Sequence, residues 1–98
     1  MTPVQKATLQ TIEGLLDIIP PGEHQGISYD SMRALLETAV KEIDVMPIDK
    51  ISRWVGYAQG VLIAHGVLDV IEERNRTRPF FHEAYRETGL AIPPTREF

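Results

Sequence analysis

The segment between Pro47 and Gly66 constrains the fold most, because it has the period of a helix and carries no charged residue after Arg53. One face repeats at alternating steps of three and four, the spacing of a buried helix stripe. That face consists of Ile48, Ile51, Val55, Ala58, Leu62 and His65. The opposite face consists of Arg53, Tyr57, Gly60 and Ala64. A helix that is apolar almost all round is typical of one with neighbours on both sides. We therefore predict a helix over residues 48–65 that is covered on its tyrosine side as well as on its core side.

Two glycines lie one turn apart within this helix. Gly56 and Gly60 form a small-x-x-x-small pair, and each costs about 1 kcal/mol relative to alanine in a helix interior. Close approach of another backbone would compensate for that cost, so we expect association as a homodimer or a larger oligomer, through this helix or through the hairpin that it forms with the fourth helix. The uncharged run from Trp54 to Leu68 is too short and too polar to span a bilayer, and no membrane association is expected.

Each of the other predicted helices begins at a capping signal. Thr2 precedes a helix predicted over residues 3–19, and Ser28 precedes one over residues 29–44. Asp69 precedes a helix that starts at Val70. An irregular loop that begins with two prolines separates the first two helices. Because only a few residues around Gly66 separate the third and fourth helices, these two should form an antiparallel hairpin.

The fourth helix contains Pro79, which lacks an N–H donor and clashes with the preceding turn. We predict that Pro79 kinks or breaks the helix, with a restart capped by Thr77 that ends at Gly89. Residues 90–98 are predicted to be a flexible tail. These elements together predict one all-α domain over residues 1–98, a small bundle of four to five helices with a central antiparallel hairpin.

The composition limits the function classes. The chain has no cysteine, which excludes disulfides and cysteine-ligated zinc. Its net charge of −4 is uneven, because residues 1–49 hold three basic and eight acidic side chains while residues 50–98 hold seven and six. The acidic first half would repel a phosphate backbone, so duplex nucleic acid is not an expected partner. No secretory signal is recognised, which predicts a cytoplasmic setting.

Arg74 and Arg78 are the most specific candidates for binding residues. They share the side of the fourth helix that carries Val70 and Ile71, where aliphatic residues would be expected, whereas Arg76 points away. An arginine on such a stripe forms an ion pair, contacts a partner protein or holds a phosphate-bearing ligand. All three interpretations stay open, with the ion pair favoured.

Further candidates lie on the third helix and after Pro79. Arg53 and Tyr57 could form a flat surface for a base or a partner side chain beside Gln59, or could pack in a dimer or against the first helix. The last helix holds an aromatic cluster formed by Phe80, Phe81, His82 and Tyr85. Such a cluster can stack single-stranded bases but more often caps a small core. The histidines lack metal-binding spacing and no nucleophile motif is present, so we expect no catalysis, metal or cofactor.

A resemblance covers residues 48–85. It is carried by Arg53-Trp54-x-Gly56-x-x-Gln59-Gly60-x-Leu62, then Gly66, Glu72-x-Arg74 and Thr77-Arg78-Pro79. This pattern resembles a set of small uncharacterised helical proteins encoded by tailed bacteriophages and prophages. The resemblance implies a bacterial host cytoplasm during infection or lysogeny, and a role in binding and disabling a host factor. It implies no catalytic residues.

The predicted function is therefore that of a non-catalytic accessory protein that binds and inhibits a host defence or regulatory protein. The predicted contact residues are Arg53, Trp54, Tyr57, Gln59, Arg74 and Arg78. One alternative is a sponge for an anionic nucleotide signal, with the arginines of the fourth helix around phosphates and Tyr57 or Trp54 against a base. Another is a nucleic-acid-binding accessory protein, whose binding would depend steeply on salt.

Overall fold

The computed structural model describes residues 1–92, which form four helices and one short β-hairpin. The elements are α1 (Pro3–Leu16), β1 (Glu23–His24), β2 (Ile27–Ser28), α2 (Tyr29–Lys41), α3 (Ile48–Ala64) and α4 (Val70–Thr88). The prediction of a mainly helical fold is confirmed, although the two-stranded sheet means that the protein is not strictly all-α. Residues 93–98 of the predicted tail lie outside the described residues. No helix within residues 1–92 is long and apolar enough to cross a membrane.

Three helices begin where their capping residues predict. The Thr2 hydroxyl accepts a hydrogen bond from the backbone N–H of Gln5 at 3.1 Å, and the Gln5 side chain accepts one from the backbone N–H of Thr2 at 2.6 Å. Ser28 and Asp69 cap α2 and α4, each accepting a hydrogen bond from a backbone N–H three residues later. These contacts satisfy donors that the first turn of a helix leaves without intrahelical partners.

The ranges predicted from the apolar pattern extend three residues beyond the C-terminal ends of α1 and α2. Ile19 and Ile43 are buried although each follows the last helical residue of its element. The apolar pattern therefore continues into the turn after the hydrogen-bonded helix has stopped. α3 ends close to the predicted position, and Gly66 after it has a φ of 75°, a left-handed conformation that glycine adopts without steric cost.

The segment between α1 and α2 contains a β-hairpin rather than only the predicted irregular loop. Gln25 and Gly26 both have positive φ, at 49° and 79°. Two successive residues with positive φ form the tight turn whose twist matches a pair of antiparallel strands. Glu23 pairs with Ser28 across the hairpin. Glutamine is an unusual residue at the first turn position, so the sequence signal for this hairpin is weak.

α4 runs unbroken through Pro79, so the predicted break and restart at Thr77 are wrong. A proline costs about 3 kcal/mol in a helix interior, and the packing of α4 along α1 opposes that cost. Pro79 itself is exposed, whereas Phe80 and Ala84 after it adjoin residues of α1. The prediction failed because tertiary packing outweighs one unfavourable residue.

α1 is the central helix of the fold, in contact with α2, α3 and α4. α4 packs mainly along α1 and at most marginally against α3, which differs from the predicted central hairpin of the third and fourth helices. α3 instead shares its core with α1 and α2. The largest fully buried apolar side chains of this core are Ile12, Leu15, Leu36, Ile51 and Leu62. This arrangement leaves α3 and α4 apart, and it determines which surfaces stay open.

Candidate functional site

An ion pair between a buried carboxylate and a half-buried guanidinium joins α4 to α1 and α3. The carboxylate of Glu73, which is 5% exposed, accepts two hydrogen bonds from the Arg76 guanidinium, at 2.8 and 2.9 Å, and a third from the Gln59 amide at 2.8 Å. Arg76 also donates to the backbone carbonyl of Thr11 at 3.3 Å. Both oxygens of the carboxylate therefore have partners, which is the condition for burying a charge without a large loss of stability.

The face of α4 that packs against α1 is not the predicted one. This inner face is formed by Glu73, Arg76, Thr77, Phe80 and Ala84. Val70 and Ile71, which the prediction placed on the core side, are 39% and 41% exposed. Arg76, predicted to point away, contacts α1 instead. The prediction failed because it assumed that aliphatic residues mark the inner face of α4. That face instead carries Glu73 and Arg76, which hydrogen-bond to each other.

Gly14 of α1 provides the space that the Arg76 guanidinium occupies. A Cβ atom built at Gly14 would lie 2.7 Å from Cζ of Arg76 and nearer still to its Nη1. A side chain at this position would therefore displace the guanidinium. A glycine in a helix interior costs about 1 kcal/mol relative to alanine, and the close approach of Arg76 accounts for that cost here.

The two arginines singled out by the sequence do not line the same groove. Arg74 is half-buried and lines a shallow groove of about 270 Å³ together with Gln59 and Thr77. Arg78 is also half-buried but is not part of the lining of that groove. The neighbouring Arg76 pairs with the buried carboxylate of Glu73.

The outer face of α3, formed by Arg53, Tyr57, Gly60 and Ala64, is exposed. Tyr57 keeps 50% of its surface, and nothing lies within 4 Å of the position of a Cβ on Gly60. Arg53 pairs at 3.5 Å with Asp49 one turn earlier, and both side chains are largely exposed. The prediction that α3 is covered on its tyrosine side is therefore wrong for residues 1–92 of the single chain, because no other helix packs over this face.

Tyr57 also borders a shallow groove beside the hairpin. The groove has a volume of about 290 Å³ and is lined by Gly26 and Ile27 of the hairpin and by Met32 and Leu35 of α2. None of its lining residues carries a charge. The groove therefore extends the uncharged part of the outer face toward α2.

The remaining aromatic side chains near α3 have partners within the fold. Trp54 is half-buried against the core, and the Nζ of Lys50 lies 5.4 Å from its ring centroid, within the range of a cation–π contact. The Tyr29 hydroxyl lies 2.6 Å from Nδ1 of His65, and the His24 ring meets the His65 ring edge-on with centroids 4.7 Å apart. Within residues 1–92 no group of three or more potential metal ligands lies together.

A cleft between α1, α3 and α4 is the feature that sequence reasoning missed. It has a volume of about 370 Å³. Its polar and small lining residues are Thr8 and Thr11 of α1, Ser52, Gly56 and Gln59 of α3, and Thr77 of α4, and its apolar and aromatic ones are Val55, Phe81 and Tyr85. The signal in the sequence is the line of small or polar residues along this side of α3, because such residues cannot fill the space beside a neighbouring helix.

The six predicted contact residues do not form one site. Arg53 and Tyr57 lie on the outer face, Gln59 and Arg74 line the groove beside Glu73, and Trp54 and Arg78 belong to neither place. No family model matches the chain, and no curated protein or solved structure is significantly similar to it. The functional interpretation therefore rests on two features of the fold, the open outer face of α3 and the cleft.

Proposed function

We propose that the protein is a non-catalytic binding protein that docks a partner protein on the outer face of α3. The observation that carries the proposal is the exposure of a helix face on which Arg53 is the one charged residue. Tyr57, Gly60 and Ala64 are exposed, and the charge of Arg53 is offset by Asp49 on the same helix. A solvent-facing helix side is usually rich in charged residues, so this face departs from the usual pattern.

Gly60 supports the same proposal through its energetic cost. Glycine in an exposed helix interior lowers helix stability by about 1 kcal/mol relative to alanine. Unlike Gly14, whose missing side chain makes room for Arg76, Gly60 has no neighbour within 4 Å of its Cβ position. Its cost therefore has no compensation within residues 1–92. Close approach of a partner backbone would supply that compensation.

Tyr57 provides the anchor that such an interface needs. Tyrosine is enriched among the residues that dominate binding energy, because it brings a large apolar ring and a polar end with few rotatable bonds. The uncharged groove beside it could accept an apolar side chain of the partner between the hairpin and α2. Arg53 at the edge of the face would then belong to the polar rim.

The resemblance to small phage-encoded proteins suggests what the partner is. We propose a host defence or regulatory protein whose own surface the chain would occlude. The acidic first half of the sequence, with eight acidic and three basic side chains in residues 1–49, would favour a partner with a basic surface next to the docking site. A second copy of this chain is the competing occupant of the face.

Affinity capture from a bacterial lysate, with matched variants, tests the proposal. Gly60→Arg places a long cation on the outer face, whereas Gln10→Arg makes the same change of charge on an exposed position of α1. A protein captured by the wild type and by Gln10→Arg but lost with Gly60→Arg would support the proposal. Equal capture by Gly60→Arg, or no specific capture by the wild type, would contradict it.

Light scattering on the same proteins separates the two occupants. A wild-type dimer that Gly60→Arg converts to a monomer would assign the face to a second copy and would replace the host-partner proposal. The nucleotide-sponge alternative has less support, because Tyr57 and Arg74 line two different grooves and neither groove is lined by Trp54 or Arg78.

A further inference from the structure

We propose that the cleft between α1, α3 and α4 binds a small, planar, uncharged heterocycle with N–H donors, of the chemical class of a free nucleobase or nucleoside. The proposal does not depend on the docking role of the outer face, because the cleft lies on a different side of α3. Its volume of about 370 Å³ falls within the range of pockets that hold small molecules, roughly 300–1,000 Å³.

The cleft is a consequence of the fold and not of one loose side chain. α4 packs along α1, and α3 packs on α1 and α2, so α3 and α4 stand apart above α1. The hydrogen bond from Gln59 to the buried carboxylate of Glu73 spans the two helices at 2.8 Å. Since Arg76 also holds Glu73, this bridge fixes the spacing between α3 and α4 beside the cleft.

The lining offers hydrogen-bond acceptors on α1, α3 and α4, and the hydroxyls of Ser52 and Tyr85 can also donate. The hydroxyls of Thr8, Thr11 and Thr77 each donate to a backbone carbonyl one turn earlier in their own helix, at 2.8 to 3.0 Å. Their oxygens keep the capacity to accept, and Thr77, which is half-buried, is the most accessible of the three because Thr8 and Thr11 are only 2% and 1% exposed. The Gln59 amide nitrogen donates to Glu73, which leaves its carbonyl oxygen as a further acceptor. A matching ligand therefore carries N–H or O–H donors.

The lack of charged residues in the lining favours a neutral ligand. None of the residues that line the cleft is acidic or basic. The buried carboxylate of Glu73 and the half-buried guanidinium of Arg76 are paired with each other and do not belong to the lining. A carboxylate or phosphate in the cleft would lose hydration without gaining a cation, which is unfavourable.

The shape of the lining argues for a flat ring. Phe81 and Tyr85 lie one turn apart on α4 and contribute aromatic rings to the cleft. Gly56 contributes to the cleft from α3, and nothing lies within 4 Å of the position where its Cβ would be. Aromatic side chains stack on the faces of heterocycles, and the absent side chain at Gly56 leaves room for one.

Binding is tested by titrating the full chain with adenine, adenosine and adenosine monophosphate while following its amide NMR resonances. We expect adenine and adenosine to shift the Gly56 backbone amide and the Gln59 side-chain amide, and the monophosphate to bind more weakly. Gly56→Leu should weaken binding roughly tenfold or more by filling the space beside the rings. Gly60→Leu makes the same change one turn later, outside the cleft lining, and should leave binding unchanged.

Phe81→Leu provides a second test that keeps an apolar side chain but removes the ring, and it too should weaken binding. Absence of any shift with adenine and adenosine at millimolar concentration would overturn the proposal. Monophosphate binding as tight as that of adenosine would also overturn it, as would equal losses with Gly56→Leu and Gly60→Leu. Because Gly60→Leu alters the outer face and Gly56→Leu alters the cleft, failure of this proposal is distinguishable from failure of partner docking.

Discussion

The inner face of α4 is the more polar of two helix faces and yet it is buried, whereas the outer face of α3 is the less polar and yet it is exposed. The inner face of α4 carries Glu73 and Arg76, yet it packs against α1 and buries the carboxylate. The outer face of α3 carries Tyr57, Gly60 and Ala64, yet it is open. In this fold, burial depends on whether polar groups find partners and on how closely backbones can approach. Hydrophobicity alone would place the two faces the other way round.

The largest expected effect comes from removing the buried carboxylate. Glu73→Ala leaves the Arg76 guanidinium and the Gln59 amide without their shared acceptor, so we expect the free energy of unfolding to fall by about 3 kcal/mol. Chemical denaturation followed by circular dichroism measures this loss. A loss of this size would show that the inner face of α4 contributes more to stability than the outer face of α3.

The same helix offers a matched control. Glu83 and Arg86 form a pair with the same three-residue spacing, at 3.2 Å, but their side chains are 61% and 59% exposed. Glu83→Ala should lower the free energy of unfolding by about 0.5 kcal/mol, as is usual for exposed ion pairs. Equal losses for the two substitutions would mean that the burial of Glu73 contributes nothing, and the comparison between the two faces would lose its basis.

The next largest effect is expected at Gly14. Gly14→Ala places a methyl group where the Arg76 guanidinium lies, so the guanidinium has to shift and its contacts with Glu73 and Thr11 weaken. We expect the free energy of unfolding to fall by about 2 kcal/mol, even though alanine is the better helix former. In an Arg76→Ala background the same change should be stabilising. A stabilising effect in the wild type would mean that the guanidinium can move aside without loss.

The helix starts could be predicted from the sequence, whereas the buried face of α4 could not. A capping residue such as Thr2 or Asp69 acts on donors two or three residues away, so the signal is local and the prediction succeeds. The burial of Glu73 depends on Gln59 and Thr11, which belong to other helices. A pattern within one helix contains no information about partners of that kind.

The candidate surfaces could be predicted only in part. The sequence showed that Tyr57 and Gly60 share an uncharged face, because helical spacing fixes which residues lie together. It did not show that this face is open, since that depends on α4 packing against α1. The cleft was missed for the same reason, because it appears only when α3 and α4 stand apart. Local periodicity identifies faces, and the helix arrangement decides which faces are covered.

Two tyrosines test the difference between the inner and outer sides of α3. Tyr29 is 4% exposed and its hydroxyl lies 2.6 Å from Nδ1 of His65, whereas Tyr57 is 50% exposed. Tyr29→Phe should lower the free energy of unfolding by about 1 kcal/mol, because it leaves the histidine nitrogen without its partner. Tyr57→Phe should change it by no more than about 0.5 kcal/mol. Thermal denaturation of both variants measures the two effects, and a larger loss at Tyr57 would place the outer face within a covered interface.

A substitution at Gly60 separates an open face from a covered one most directly. Gly60→Ala adds a methyl group where nothing lies within 4 Å, so we expect the free energy of unfolding of the single chain to rise by about 0.8 kcal/mol. The same substitution has the opposite sign at Gly14, because there the space is occupied. If Gly60→Ala instead lowers stability, and the loss grows with protein concentration, a second copy covers the face. If it stabilises the chain yet weakens partner capture, the glycine is maintained for binding at the expense of stability.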